Sequence, residues 1–179
     1  GAKQLVLFRA SLNVNRHKIH VAKAFLKKAG LDKLTVDLSV ADAAFAGAVD
    51  SALLWKENAK ACGIDLNVIR EPDDSYWDNV WLKKAFVASY WSGRPTVDWM
   101  MTTAYASGAA WNDTFWANPR FNELLVAARS ETDEAKRAGM YAEMQQLLHD
   151  DGGLINLMFN SYVEAHGKNL GHNKVAANW

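Results

Sequence analysis

Lys33–Val40 reads KLTVDLSV, and Ile64–Ile69 reads IDLNVI. In the first stretch Leu34, Val36, Leu38 and Val40 alternate with polar neighbours. In the second, Ile64, Leu66 and Val68 do the same. A period of two over this length describes a strand with one buried face. Between them, Phe45, Ala48, Val49, Ala52, Trp55 and Ala59 recur at helical spacing, which predicts a helix over about 43–61 with Asp42 as its cap and Gly63 as its stop. Strand, helix, strand is a crossover unit. A crossover of that length makes the two strands parallel. The fold class read from this unit is α/β.

The same logic extends outward. Ala22, Phe25, Leu26 and Ala29 mark a helix over about 19–29. Lys27 and Lys28 suit its negative end, with Gly30 as a left-handed cap and Leu31 as the apolar contact beyond it. Gln4–Phe8 is apolar and reads as a strand or an extended linker. Asp73, Asp74 and Ser75 start a short helix over 76–83; an acidic pair there is first a capping device and only second a pair of metal ligands. A third strand is expected over Ala85–Trp91 and a helix over about 97–105. Asn118-Pro119 starts another helix, with Asn as cap and Pro at the first helical position. Thr132-Asp133-Glu134 starts the next, ending near Asp150 with Tyr141, Met144 and Leu148 on its inner stripe. Leu154–Ala165 reads as a last strand, and 166–179 shows no periodicity.

Composition excludes several classes. The 179 residues suffice for one domain with a core, and 20 Lys and Arg are balanced by 20 Asp and Glu. Nucleic-acid binders need a concentrated basic face, so no such partner is expected. No apolar run is long enough to span a bilayer. The single Cys62 excludes an internal disulfide, and with no activating group at hand it reads as a packing residue. There is no G-x-S-x-G, H-E-x-x-H, C-x-x-C, phosphate loop or dinucleotide fingerprint. His149-Asp150-Asp151 reads as a polar helix end, not a metal site. No catalytic residue, metal or cofactor is therefore expected.

A binding site needs less: a concave, mostly apolar surface with a few fixed polar groups. The stretch Phe86–Tyr105, FVASYWSGRPTVDWMMTTAY, supplies both. In an open α/β sheet, ligands sit at the loop leaving a strand's carboxyl end. Here that loop is Ser92-Gly93-Arg94-Pro95, and it carries a guanidinium between Trp91 and Trp99. The eight tryptophans are many for this length. Most read as core, and a few as cleft lining, because aromatic planes give contact area at little entropic cost. The candidate ligand-binding residues are Trp91, Ser92, Gly93, Arg94, Asp98, Trp111 and Asn112. Arg94 either meets an anionic ligand group, which a guanidinium holds bidentately, or pairs with Asp98 or Asp113 and stiffens the loop. Asp98 either receives an amine or favours the helix start. Trp111 is either a hinge-side contact or a lid.

The ordered set Trp91-Ser92-Gly93-Arg94-Pro95-Thr96-Val97-Asp98-Trp99, then Trp111-Asn112-Asp113, then Asn118 to Leu125, resembles the extracellular solute-binding proteins of peptide-type ABC importers, family 5. Ala22–Gly30 and Lys136–Gln145 match in the same order, so the resemblance covers roughly 18–166. It implies a periplasmic-binding-protein-like (type II) lobe, a mixed β-sheet with helices on both faces. Family members are longer, so 1–179 would be a single domain, the carboxyl-terminal lobe of a two-lobed protein, with 166–179 crossing toward the missing amino-terminal lobe. The implied function is capture of a peptide or small solute between the lobes and delivery to membrane permease subunits, in the periplasm or anchored outside the cell. The family's peptide binders place an acidic residue shortly after the strand-end tryptophan. This chain has Arg94 at about that offset, which points toward an anionic or conjugated ligand. The alternatives are a small α/β hydrolase or transferase and an interaction domain using exposed tryptophans.

Overall fold

The computed structural model describes residues 16–159 and 165–171. They divide into two compact units, meeting between Trp91 and Ser92. The expected element at Gln4–Phe8 lies outside the described residues.

The first unit opens with α1 (Arg16–Lys28). Its end is the predicted glycine cap. Gly30 has φ 75°, the Leu31 N–H donates to Leu26 O and the Gly30 N–H to Lys27 O, both at 2.9 Å. β1 (Leu34–Val40) and β2 (Ile64–Arg70) pair in parallel, in register from Leu34↔Ile64 to Val40↔Arg70. Across the ladder Asn67 Nδ2 donates to Asp37 Oδ1 at 2.9 Å. The crossover helix α2 (Ala48–Lys60) packs against both strands. Leu38, Val40, Leu66, Ala48, Ala52 and Tyr76 form the buried core between them.

Three expectations are corrected here. The crossover helix begins at Ala48, not Ala43. Two turns fill the interval (Ala44 N–H to Ala41 O and Ala48 N–H to Phe45 O, both 3.0 Å), and Gly47 then stands at φ 79°. Asp42 still caps the helix from upstream, its Oδ1 accepting from the Val49 N–H at 3.1 Å. The helix after Ser75 is the single turn α3 (Tyr76–Asn79), because the chain turns through Leu82 at φ 58°. Asp73 does not cap α3; its Oδ1 accepts from the Ala43 N–H at 2.8 Å.

The third correction concerns the sheet. Among the described residues it is two-stranded and parallel, and the strand expected over 85–91 reduces to one parallel bridge, Ser39↔Val87. The Ser39 N–H donates to Phe86 O and the Ala88 N–H to Ser39 O, both at 3.0 Å. The ladder cannot lengthen because β1 ends at Val40 and the chain turns at once through Ala41–Ala44. The α/β class holds; the sheet is smaller than expected. Leu154–Phe159, read as part of a last strand, carries no regular structure, and 160–164 lies outside the described residues.

The second unit is helical. α4 (Val97–Ala104) is capped by Thr96, α5 (Pro119–Ser130) by Asn118 and α6 (Glu134–Asp151) by Asp133, as the sequence indicates for the last two. α5 packs on both α4 and α6. Phe121 and Met144 are fully buried, with Leu124, Leu125, Ala128 and Met101 around them.

Tyr76 ties the first unit together. It is 1 % exposed, and its hydroxyl donates to Ala88 O at 2.8 Å, with Ser39 O at 3.2 Å. Burial pushes its phenol up from the usual 10.0 to about 12. The fold favours the protonated form, so this contribution is whole below pH ~10 and is lost as pH rises through ~12. Tyr76→Phe should lower the unfolding free energy by ~1 kcal/mol in urea titrations at neutral pH. The loss should shrink above pH ~11 if the hydroxyl is responsible.

Candidate functional site

The loop that carries Arg94 follows directly on the first unit. Tyr90 is exposed and stacks edge-on against Trp77 at 5.7 Å, and Trp91 is half-buried. Both belong to the first unit, whereas Ser92 onward belongs to the second.

Within the second unit the structure brings Ser92, Gly93 and Arg94 together. Arg94 Nη1 donates to Ser92 Oγ at 2.9 Å, to Ser92 O at 3.1 Å and to Gly93 O at 3.3 Å. The guanidinium is folded over its own loop and half-buried, which removes much of its rotamer freedom. Pro95 then leads to Thr96, whose Oγ1 accepts from the Trp99 N–H at 3.1 Å and starts α4.

Asp98, in the first turn of α4, is not drawn to Arg94. Its Oδ1 takes the Nε of Arg129 at 2.8 Å, while Arg129 Nη2 donates to Thr102 Oγ1 at 2.5 Å. Asp98 and Thr102 lie one turn apart on α4, so the single guanidinium of α5 grips that helix at two points. Sequence reading missed this pair. Its members stand 31 positions apart, and an arginine in a helix's last turn reads first as a dipole partner.

Asn112 is 4 % exposed, and its amide is committed to its own loop. Nδ2 donates to Trp116 O at 2.7 Å and to Ala106 O at 3.1 Å, and Oδ1 accepts from Thr114 Oγ1 at 3.2 Å. Around this anchor the loop buries Trp116, whose Nε1 donates to Asp151 Oδ2 at 2.9 Å, and displays Trp111 and Phe115, 50 % and 70 % exposed. Phe115 has φ 53°, a left-handed conformation uncommon for an aromatic residue. Nothing in the sequence marks it.

Beside α4 lies a groove of about 450 Å³ formed by α4, α5 and α6. Asp98, Arg129, Arg137 and Tyr141 give it its polar lining, Val97 and Ala128 its apolar lining. Burial pushes the Tyr141 phenol up, Asp98 pushes it further, and Arg137 and Arg129 oppose both. Among the described residues no cluster of three His, Cys, Asp or Glu could hold a metal ion, and no helix is long and apolar enough to cross a membrane.

No family model matches the chain. It is similar to the oligopeptide-binding protein OppA of Bacillus subtilis, with 29% identity over 146 residues, 77% of this chain and 25% of OppA. It is also similar to the glutathione-binding protein GsiB of Shigella dysenteriae, with 24% identity over 91 residues, 49% of this chain and 18% of that one. Among solved structures it is similar to the periplasmic binding protein DppA of Helicobacter pylori in complex with the peptide STSA. There the TM-score is 0.62 and the identity 20%, covering 74% of this chain and 27% of DppA. The chain thus spans about a quarter of OppA's length. The fold is that of a partial periplasmic-binding-protein-like α/β lobe. These relatives are named as binding proteins, and the chain is similar to them over part of their length.

The loop geometry makes a stability prediction. Asn112→Ala removes the donors for two carbonyls and should destabilise the protein by about 2 kcal/mol. In a thermal scan this should appear as a clear loss of Tm, and an exposed control such as Asn67→Ala should lose less.

Proposed function

We propose that this chain is the carboxyl-terminal lobe of the substrate-binding component of a peptide-type ABC importer, working in the periplasm or anchored outside the cell. The observation that carries the reading is the 29% identity to an oligopeptide-binding protein across 77% of the chain, on a shared fold. In this reading the lobe closes with a missing amino-terminal lobe over a peptide or peptide-like ligand, and the closed form is handed to permease subunits in the membrane. The crossing expected of 166–179 falls largely on residues outside those described. The residues proposed for the site are Trp91, Ser92, Gly93, Arg94, Asp98, Trp111 and Asn112, some meeting the ligand and others holding the loop. Trp111 offers an aromatic plane, Asn112 holds the loop that presents it, and Asp98 sets the start of α4 through Arg129. Arg94 carries the charge.

A loop-held guanidinium favours a planar anion, and a carboxylate matches its fork. The ligand is therefore a peptide or conjugate with a carboxylate near Arg94. The enzyme reading draws no support from these relatives.

The test is calorimetry on the full-length protein with ligand recovered from it and identified by mass spectrometry. Arg94→Ala should weaken binding of the carboxylate-bearing ligand by about tenfold or more and leave an amidated analogue nearly unaffected. Equal affinities of wild type and Arg94→Ala for the anionic ligand would remove Arg94 from the site. Recovery of a catalytic turnover product instead of a bound solute would overturn the importer reading itself.

A further inference from the structure

We propose that the groove between α4, α5 and α6 is a second ligand site, separate from the Arg94 loop, and that it takes a small carboxylate with a short apolar body. The argument is an inventory of donors and acceptors. Arg129 uses Nε on Asp98 and Nη2 on Thr102, which leaves Nη1 for another partner. Arg137 uses only Nη1, on the backbone carbonyl of Glu131 at 3.0 Å, so its Nε and Nη2 remain available and no carboxylate of the described residues neutralises it. The Tyr141 hydroxyl makes no hydrogen bond to protein among the described residues, and Thr96, which accepts from Trp99 through Oγ1, still has its own proton to donate. Against these donors the groove's lining holds one anionic acceptor, the Asp98 carboxylate. Two guanidiniums face one carboxylate, so the groove is one positive charge in excess.

The chemistry selects within anions. An arginine with two adjacent unused N–H groups presents a fork that a planar carboxylate fills bidentately. The apolar wall selects a carboxylate with an apolar body over inorganic phosphate, which has no surface to place there. Val97, Ala128 and the arginine stems supply the apolar wall, and about 450 Å³ lies in the range of small-molecule sites.

The test titrates the protein at low salt with benzoate, benzyl alcohol, benzylamine and inorganic phosphate, observed by ligand NMR. Benzoate should bind about tenfold tighter than benzyl alcohol and displace more readily than phosphate. In an Arg94→Gln background, which removes the loop's guanidinium, the preference should persist and Arg137→Gln should abolish it, which separates this groove from the loop. Val97→Glu touches no hydrogen bond, sits at an exposed position in the first turn of α4, and should reverse the preference toward benzylamine. A benzoate preference that is absent from Arg94→Gln, or that survives both Arg137→Gln and Val97→Glu in that background, would overturn the proposal. Tighter binding of phosphate or benzylamine to the wild-type protein would do the same.

Discussion

The backbone of Ser39 is the joint of the first unit. Its N–H and C=O both face the segment 86–88, bonding Phe86 O and the Ala88 N–H, while its neighbour Val40 faces the other way and takes the Glu71 N–H at 2.9 Å. In a strand successive residues present their hydrogen-bonding groups to opposite edges. A single residue step therefore divides β1 between two partners. The Tyr76 hydroxyl adds a third tie at the same point. Ser39 is buried at 3 % exposure, and it is tolerated there because its hydroxyl bonds the Glu71 carboxylate while its main-chain groups are satisfied. Without this joint, the segment that ends at Trp91 would have no sheet contact at all.

In the second unit, short-range polar anchors do what a sheet does in the first. Asn118, Asp133 and Thr96 start the three helices, and Asn112 closes the loop between α4 and α5. Two arginine forks then cross between helices, and they are not equal. Arg120 reaches Glu143 through Nε at 2.7 Å and Nη2 at 3.1 Å, but both partners are about half exposed, so solvent screening leaves little net stabilisation. Arg129 reaches an Asp98 whose side chain is 31 % exposed and adds Thr102, so it fixes direction as well as charge. That second fork sets how α4 lies on α5 and defines one wall of the groove.

The parts legible in the sequence were those decided within a few residues. Alternation marked β1 and β2, Gly30-Leu31 marked the end of α1, and Asn118-Pro119 marked the start of α5 to the residue. The parts missed were decided at a distance. Val87 and its neighbours have strand composition, yet pairing there is limited by where β1 turns away. Leu154–Phe159 has the same composition without a ladder. The start of α2 was misplaced because its capping carboxylate, Asp42, sits seven positions before the amide it caps. The candidate site was legible as a loop with a guanidinium. The partner of Asp98 was not, because no local spacing links positions 31 apart.

That partner changes how the loop is read electrostatically. From sequence, Asp98 is the carboxylate nearest Arg94, and the two charges would cancel within a screening length of about 10 Å. In the structure Asp98 is bonded to Arg129, while Arg94 is folded onto Ser92 and Gly93. The stretch 92–98 together with Arg129 therefore holds two cations and one anion, and that anion is already bonded to Arg129. A free amine would meet Asp98 only by displacing Arg129 from both Asp98 and Thr102. The proposal of a non-ammonium ligand group at the loop follows from this exchange. It rests on a helix contact more than thirty residues away from Asp98.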